Sequence, residues 1–443
     1  MKKIVKKSLL ALVLIPVTLL GMGTVAYLLY GLLALGGESL PHQAYLRKHL
    51  IAVRSGEAGS SFAFEPAFYR NQLFLLGEAH GFAAPQELDY QLLKHLNEKA
   101  GARYYLAEVD YSQAHFLNEY LRTGDEPLLR YVFGTWIRAN AQWGNQNFCE
   151  KIKKIRALNQ SLPPARRITF LGVDRIQDVA VTGRYLRELR AAAGLRQHLA
   201  AGVDSLTGLT SAADPDLPKL SAAAAALLKQ LAADSVYQTG TDFRHFPLAH
   251  TLRNLAYLAP TAPRDSVMYL NLKTLSRALS LEHEKMYGLW GFFHTLQIPM
   301  QRDRRVMPFA AHLQSAGSPF RGKVVSLNAY VLDGENMMPG KRVPAAIGKG
   351  KAYFNTTWAN ADGPLVFVHG IADLRAVTRP HSVTIFDLAG KDSPYRGSPR
   401  LSRVKVLIPG QALSPAPDAG TGIPAYQYVV LIRNTEALTP LRE

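Results

Sequence analysis

The chain repeats one pattern of hydrophobic and polar positions: a short apolar run, a turn carrying polar residues, then apolar positions at helical spacing. Leu73–Leu76 is the first such run, too continuous in its hydrophobicity for a strand with one wet face. It stops at Gly77-Glu78-Ala79-His80-Gly81, after which Leu88, Leu92, Leu93 and Leu96 recur with the period of a helix. Arg103–Val109 reads as the next strand, with Glu108 at its carboxyl end. Arg167–Asp174 ends in Asp174, Met286–His294 in His294, and Leu365–His369 in His369. Val324–Leu332, Ser382–Leu388 and Tyr426–Ile432 complete the set. Such alternation predicts an α/β fold with a largely parallel central sheet wrapped by helices. In open sheets of this kind ligands bind beyond the carboxyl ends of the strands, which is where Glu78 and His80 fall.

Three stretches depart from that rhythm. Residues 182–260 are Ala/Leu-rich, with turn signals at Asp214-Pro-Asp-Leu-Pro218, and predict a helical insertion that either caps a site or packs on one flank. Residues 41–70 are mixed, with Gly and Ser around Ser55–Ser61, and read as a linker with one short helix before a domain over 71–443. Pro409–Pro424 reads as a loop before the last strand.

The N-terminal pattern is different again. Ser8 to Gly37 carries no charge and follows Lys2, Lys3, Lys6 and Lys7. At about 1.5 Å per residue a helix of that length exceeds the roughly 30 Å hydrocarbon core of a bilayer. No Ala-x-Ala cleavage site stands out, so residues 1–40 predict an uncleaved, single-pass anchor in the cell membrane, with a cleaved signal peptide as the alternative. The lysines belong in the cytoplasm, which places the domain on the extracytoplasmic side.

Composition narrows the partners. With 48% hydrophobic and 19% charged residues the 443-residue chain is globular. Its net charge is +17, and beyond residue 40 there are still 47 basic residues against 33 acidic. That excess favours anionic surfaces. No Lys/Arg run interleaved with aromatics points to nucleic acid, so a membrane-proximal surface is the better reading. The lone Cys149 excludes an intramolecular disulfide framework and does not choose a compartment.

Among candidate chemistry, Pro263-Arg264-Asp265 suits a helix start except for the arginine, whose charge opposes the helix dipole and so calls for an anionic partner. Arg264, Met268 and Asn271 share one helix face. A fork of donors and an amide would thus face a substrate or a carboxylate together; a surface salt bridge beside a helix-interior Asn is the alternative. No Gly-x-Ser-x-Gly elbow occurs, and Cys149 sits in a polar stretch without a nearby histidine.

Taken in order, Gly77-Glu78-Ala79-His80-Gly81, Glu108, Gly172-Val173-Asp174, Arg264-Asp265-x-x-Met268-x-x-Asn271, His294 and the tail from Tyr426 to Leu441 resemble the erythromycin esterase-like family, over roughly residues 70–441. The resemblance implies a hydrolase that opens esters or lactones with water and forms no covalent enzyme intermediate. His80 would be the general base, Glu78 and Glu108 would orient or polarise, and Arg264 with His294 would hold the substrate or the developing oxyanion. Asp265, Asn271 and Asp174 would serve substrate binding. The chemistry is sound, since an imidazole titrates near working pH and a guanidinium stabilises charge that appears in the transition state. No cofactor is implied.

The chain departs from the family pattern in two places. The family carries His-Asn-x-His after the strand where this chain reads Gly291-Phe-Phe-His294, and a Glu three residues beyond Trp where this chain has Gln146 after Trp143. These losses weigh against macrolides as substrates. Gly77-x-x-His80 and Gly291-x-x-His294 also resemble the twin Gly-x-x-His signature of the wider superfamily with Tiki-type, plasmid-pheromone-shutdown and ChaN-like proteins, some of them metal-dependent peptidases. On that alternative His80, His294 and Glu78 or Glu108 would hold a divalent metal with an open position for water. A third reading is a non-enzymatic carrier of haem or another ligand. His369 fits either a site or simple packing.

Overall fold

The computed structural model describes residues 26–442, except 28, 57–58, 235–244, 259–261, 344–347, 349, 408–410 and 420–424. Its main sheet has eight strands. In chain order they are β1 (Leu50–Ile51), β2 (Leu73–Glu78), β3 (Tyr104–Asp110), β4 (Thr169–Asp174), β5 (Met286–Gly291), β6 (Val324–Leu332), β7 (Val383–Asp387) and β8 (Tyr428–Arg433). Across the sheet the order is β1-β7-β8-β6-β2-β5-β3-β4. The six strands from β8 to β4 are parallel, whereas β7 runs antiparallel to β8, and β1 antiparallel to β7.

Every residue of β2, β5, β6 and β8 is buried, as continuous apolar runs require when helices cover both faces. The alternation of side chains divides β2 between two cores. Phe74 and Leu76 pack with Leu92 of helix α1 (Ala84–Ala100), Phe116 of α2 (Tyr111–Thr123) and Ile152 of α3 (Gln146–Ser161). Leu73 and Leu75 pack with Met268 and Leu272 of α4 (Arg264–Ala278) on the opposite face. After β4 the chain returns to the centre, because β5 inserts between β2 and β3 and β6 pairs on the other side of β2. The carboxyl ends of β2, β5 and β3 therefore lie side by side. Pairing of Glu78 with Gly291 fixes the depth at which their loops leave the sheet.

Several expectations need correction. β5 ends at Gly291, and His294 sits in a 3-10 turn, Phe292–Thr295, because the chain must bend after the last paired residue. Val366–Val368 pairs with Val404–Val406 in a separate two-stranded sheet, which takes His369 away from the main sheet edge. There His369 Nδ1 lies 3.2 Å from the Ala34 carbonyl. Residues 41–70 are built into the domain. They hold a helix (Leu40–Lys48), β1, a hairpin and a short helix (Pro66–Tyr69), and they bury Tyr45, Leu46 and Ile51. The insertion comprises Val179–Ala192, Gln197–Thr210, Leu217–Ala233 and Phe246–Ala256, around an apolar core of its own that includes Leu186, Val203, Leu227 and Leu252. Within the expected loop at 409–424, Ser414–Pro415 pairs with Met300–Gln301.

The expected anchor falls largely on residues 1–25, which lie outside the described residues. No helix among the described residues is long and apolar enough to cross a membrane. Residues 29–35 are helical and dock on the domain: Tyr30 meets Phe367 edge-on at 5.9 Å, and Arg400 donates to the carbonyls of Gly36 and Gly37 at 3.1 Å each.

Candidate active site

The end of β2 supplies the first half of the site. Gly77 is required there by close approach, because a Cβ would stand 2.3 Å from Asn328 Oδ1 and 2.5 Å from Thr295 Oγ1. Glu78 follows with a fully buried side chain. Its Oε1 accepts from His80 Nδ1 at 3.1 Å, and its two oxygens lie 3.3 and 3.5 Å from Gln86 Nε2, in the first turn of α1. The carboxylate thereby fixes the imidazole with its proton on Nδ1, which leaves the Nε2 lone pair facing outward. Trp143 lies edge-on to the ring at 4.8 Å. The His80 turn is held by the C-terminal tail: Leu438 N–H donates to the Gly81 carbonyl and Ala83 N–H to that of Glu436, both at 2.9 Å.

The neighbouring strands supply the second half. Glu108 Oε2 accepts the Gly291 N–H at 2.7 Å, and its Oε1 accepts from Arg264 Nη2 at 2.7 Å. His294 Nδ1 bonds Asp265 Oδ1 at 2.7 Å, and its Nε2 is 3.5 Å from Glu108 Oε1 and 3.4 Å from Arg264 Nη1. Asp265 also accepts the Phe309 N–H at 2.7 Å. Asp174 is wholly buried and takes Arg264 Nε at 2.9 Å. Gln177 ties these strands together, donating to Asp174 Oδ2 at 2.7 Å and to the Glu108 carbonyl at 3.0 Å. A Cβ on Gly291 would stand 3.0 Å from His80 Nε2 and 3.4 Å from His294 Cδ2, so the two imidazoles meet over that glycine.

Burial and charge set the protonation states. Burial pushes the Glu78 carboxyl above its ordinary range, against the His80 hydrogen bond and the charge of Lys151. Burial also works to raise Glu108, but His294, Arg264, His80 and the Gly291 N–H together outweigh it and hold Glu108 below its ordinary value. Burial would lower His294. Glu108 and Asp265 reverse that, so its pKa is raised. Arg264 loses hydration but gains Asp174 and Glu108, which keep it firmly protonated.

Seven of the eight residues singled out from the sequence thus form one constellation: Glu78, His80, Glu108, Asp174, Arg264, Asp265 and His294. Asn271 does not join it. Its amide donates to the Val173 carbonyl at 3.0 Å and to Asn254 Oδ1 at 2.6 Å, so it pins α4 to β4 and the insertion instead of facing a substrate. The Arg264 fork meets two buried carboxylates, not a surface partner. The metal alternative fits poorly. His294 Nε2 faces the Arg264 guanidinium, and among the described residues no group of three or more His, Cys, Asp or Glu is arranged to hold a metal ion.

Sequence reading missed Gln86, Gln177 and the Gly291 N–H. Only the position of Gln86 in the first turn after the His80 loop offered a signal. Arg302 was missed as well, with its guanidinium 4.1 Å above the Phe293 ring beside His294.

No protein family model and no curated protein matches the chain by sequence. Solved structures do match by shape. A Bacillus cereus protein aligns at TM-score 0.65 and 15% identity, over 91% of this chain and 99% of its own. A succinoglycan biosynthesis protein aligns at 0.66 and 14%, over 92% and 100%. An erythromycin esterase variant in its open conformation aligns at 0.57 and 15%, over 84% and 93%. At such identities the likeness shows a shared fold and not membership of a family.

Proposed function

We propose that this chain is a hydrolase that cleaves a carboxylic ester or lactone by general-base activation of water. The observation that carries this reading is the placement of His80 Nε2 across Gly291 from His294, whose own Nε2 lies 3.4 Å from the Arg264 guanidinium. The fold shared with an erythromycin esterase supports it.

On this reading His80 Nε2 removes a proton from water while Glu78, on the opposite ring nitrogen, stabilises the imidazolium that forms. The hydroxide adds to the substrate carbonyl, and the oxyanion develops beside His294 and the Arg264 guanidinium, whose charge is already in place. Collapse expels the alkoxide, which takes the proton from His80. Water and ester are consumed, and acid and alcohol released. Glu108 and Asp174 hold Arg264, and Asp265 holds His294. The test is pre-steady-state hydrolysis of an activated ester in excess over the protein, in heavy-oxygen water. The label should appear in the acid with no initial burst of alcohol; a burst with a trapped acyl-protein would overturn the water mechanism.

The reading includes attachment to the cell membrane through the uncharged run Ser8–Gly37, with the site on the extracytoplasmic side. A reporter fused after Glu443 should then be active outside the cytoplasm, and activity inside would reject this topology.

A further inference from the structure

Behind Glu78 lies a second polar cluster to which the hydrolytic steps assign no role. Lys151 of α3 is 3% exposed and pairs with Asp89 of α1, which is fully buried. Tyr105 donates to the same Asp89 oxygen at 2.7 Å, and Lys151 Nζ also lies 4.6 Å above the Phe148 ring. The remaining partner is the informative one. Lys151 Nζ donates to Gln86 Oε1 at 2.8 Å, and the Gln86 amide nitrogen faces both oxygens of Glu78.

An ammonium can only donate and a carboxylate can only accept, so these two neighbours leave the Gln86 amide one orientation, oxygen toward Lys151 and nitrogen toward Glu78. Gln86 and Asp89 are three residues apart on α1 and share a face, so one helix presents both to Lys151. An ion pair this deep is poorly explained as a source of stability, because desolvation offsets much of its attraction. A chain of polarised bonds in a low-dielectric interior does, however, impose a fixed geometry on its last member.

We propose that Lys151, braced by Asp89 and acting through Gln86, is a positioning residue that holds Glu78 in the orientation in which it receives the His80 Nδ1–H. The proposal rests on the hydrolase reading for its kinetic consequence but not for its structural one. The cluster is an aimed clamp: cation, amide, carboxylate and imidazole follow one another from the α1–α3 interface to the mouth of the site. The charge of Lys151 also opposes the effect of burial on Glu78.

The test uses two variants of the full chain, Gln86→Leu, which removes the relay and keeps the ion pair, and Lys151→Met/Asp89→Asn, which neutralises the pair and avoids a lone buried charge. The readout independent of substrate is the downfield proton resonance of the His80 Nδ1–H, assigned by its absence in His80→Ala. Both variants should melt cooperatively, yet lose or broaden that resonance, and hydrolysis of the activated ester should fall roughly tenfold in kcat with KM unchanged. A resonance unchanged in Gln86→Leu overturns the clamp whether or not esters turn over. A resonance lost from a protein without ester hydrolysis supports the clamp and rejects the hydrolase reading. If the double variant fails to fold, Gln86→Leu alone decides.

Discussion

At the residue scale the site sets His80, paired with Glu78, opposite His294, paired with Asp265, and beside it Arg264, paired with Glu108 and Asp174. Arg264 cannot be replaced by another cation without loss, because its Nε serves Asp174 while its Nη2 serves Glu108. Arg264→Lys should therefore lower ester turnover by about 100-fold or more while the protein still melts cooperatively. Loss of the folded state together with activity would assign the arginine to the fold alone. Glu108 and His294 also set a pH window for stability. His294 has a raised pKa, so its contribution is complete below the ordinary 6.5 and is lost as pH climbs through the raised value. Glu108 has a lowered one, so its contribution is complete above 4.5 and is lost as pH falls through the lowered value. The melting-temperature gap between the wild type and His294→Gln should shrink as the pH rises above 6.5, and that for Glu108→Gln should shrink as the solution is acidified below 4.5. Gaps that stay constant across those ranges would refute the assigned protonation states.

At the scale of elements, the carboxyl ends of β2, β3 and β5 lie together because the chain returns to the centre after the insertion. Gly291, the last residue of β5, is where the two imidazoles face one another, and its φ of −55° suits any residue. Gly291→Ala should therefore fold normally and lose activity, since the new methyl occupies the space between His80 and His294 that a substrate carbonyl needs. Wild-type turnover in that variant would place the reacting carbonyl elsewhere. The same elements explain what was legible in the sequence. Continuous apolar runs announced β2, β6 and β8, because strands buried on both faces have no polar alternation to obscure them. The polar residues at the ends of β2, β3 and β4 and just after β5 announced most of the site. What stayed hidden depends on pairing that residue order does not encode. His369 follows an apolar run as convincing as that before His294, but Val366–Val368 pairs with Val404–Val406 outside the main sheet. Asn271 shares a helix face with Arg264, yet sits two turns farther along, against backbone. Gln86 gave no signal beyond its position, because its role arises from Lys151, 65 residues away.

At the scale of the whole molecule, the segment before the domain is part of its structure. Arg400 binds the Gly36 and Gly37 carbonyls, Gly370 N–H donates to the Leu35 carbonyl at 2.7 Å, and Ser39 N–H to Asp373 Oδ1 at 2.6 Å. A chain lacking residues 1–40 should melt several degrees below one lacking only residues 1–25, as these bonds are lost. Equal melting of the two truncations would show that the segment is dispensable. The fold itself, shared with structures only 14–15% identical, leaves the chemistry to the side chains at the strand ends. The central claim is that His80 is the base, and the measurement that tests it most directly is kcat/KM for a panel of simple esters and lactones with chelator-treated wild type and His80→Ala, both checked for cooperative melting. The account predicts turnover by the wild type and a loss of roughly 100-fold or more in the variant; a wild type without turnover, or a variant as fast as the wild type, would contradict it.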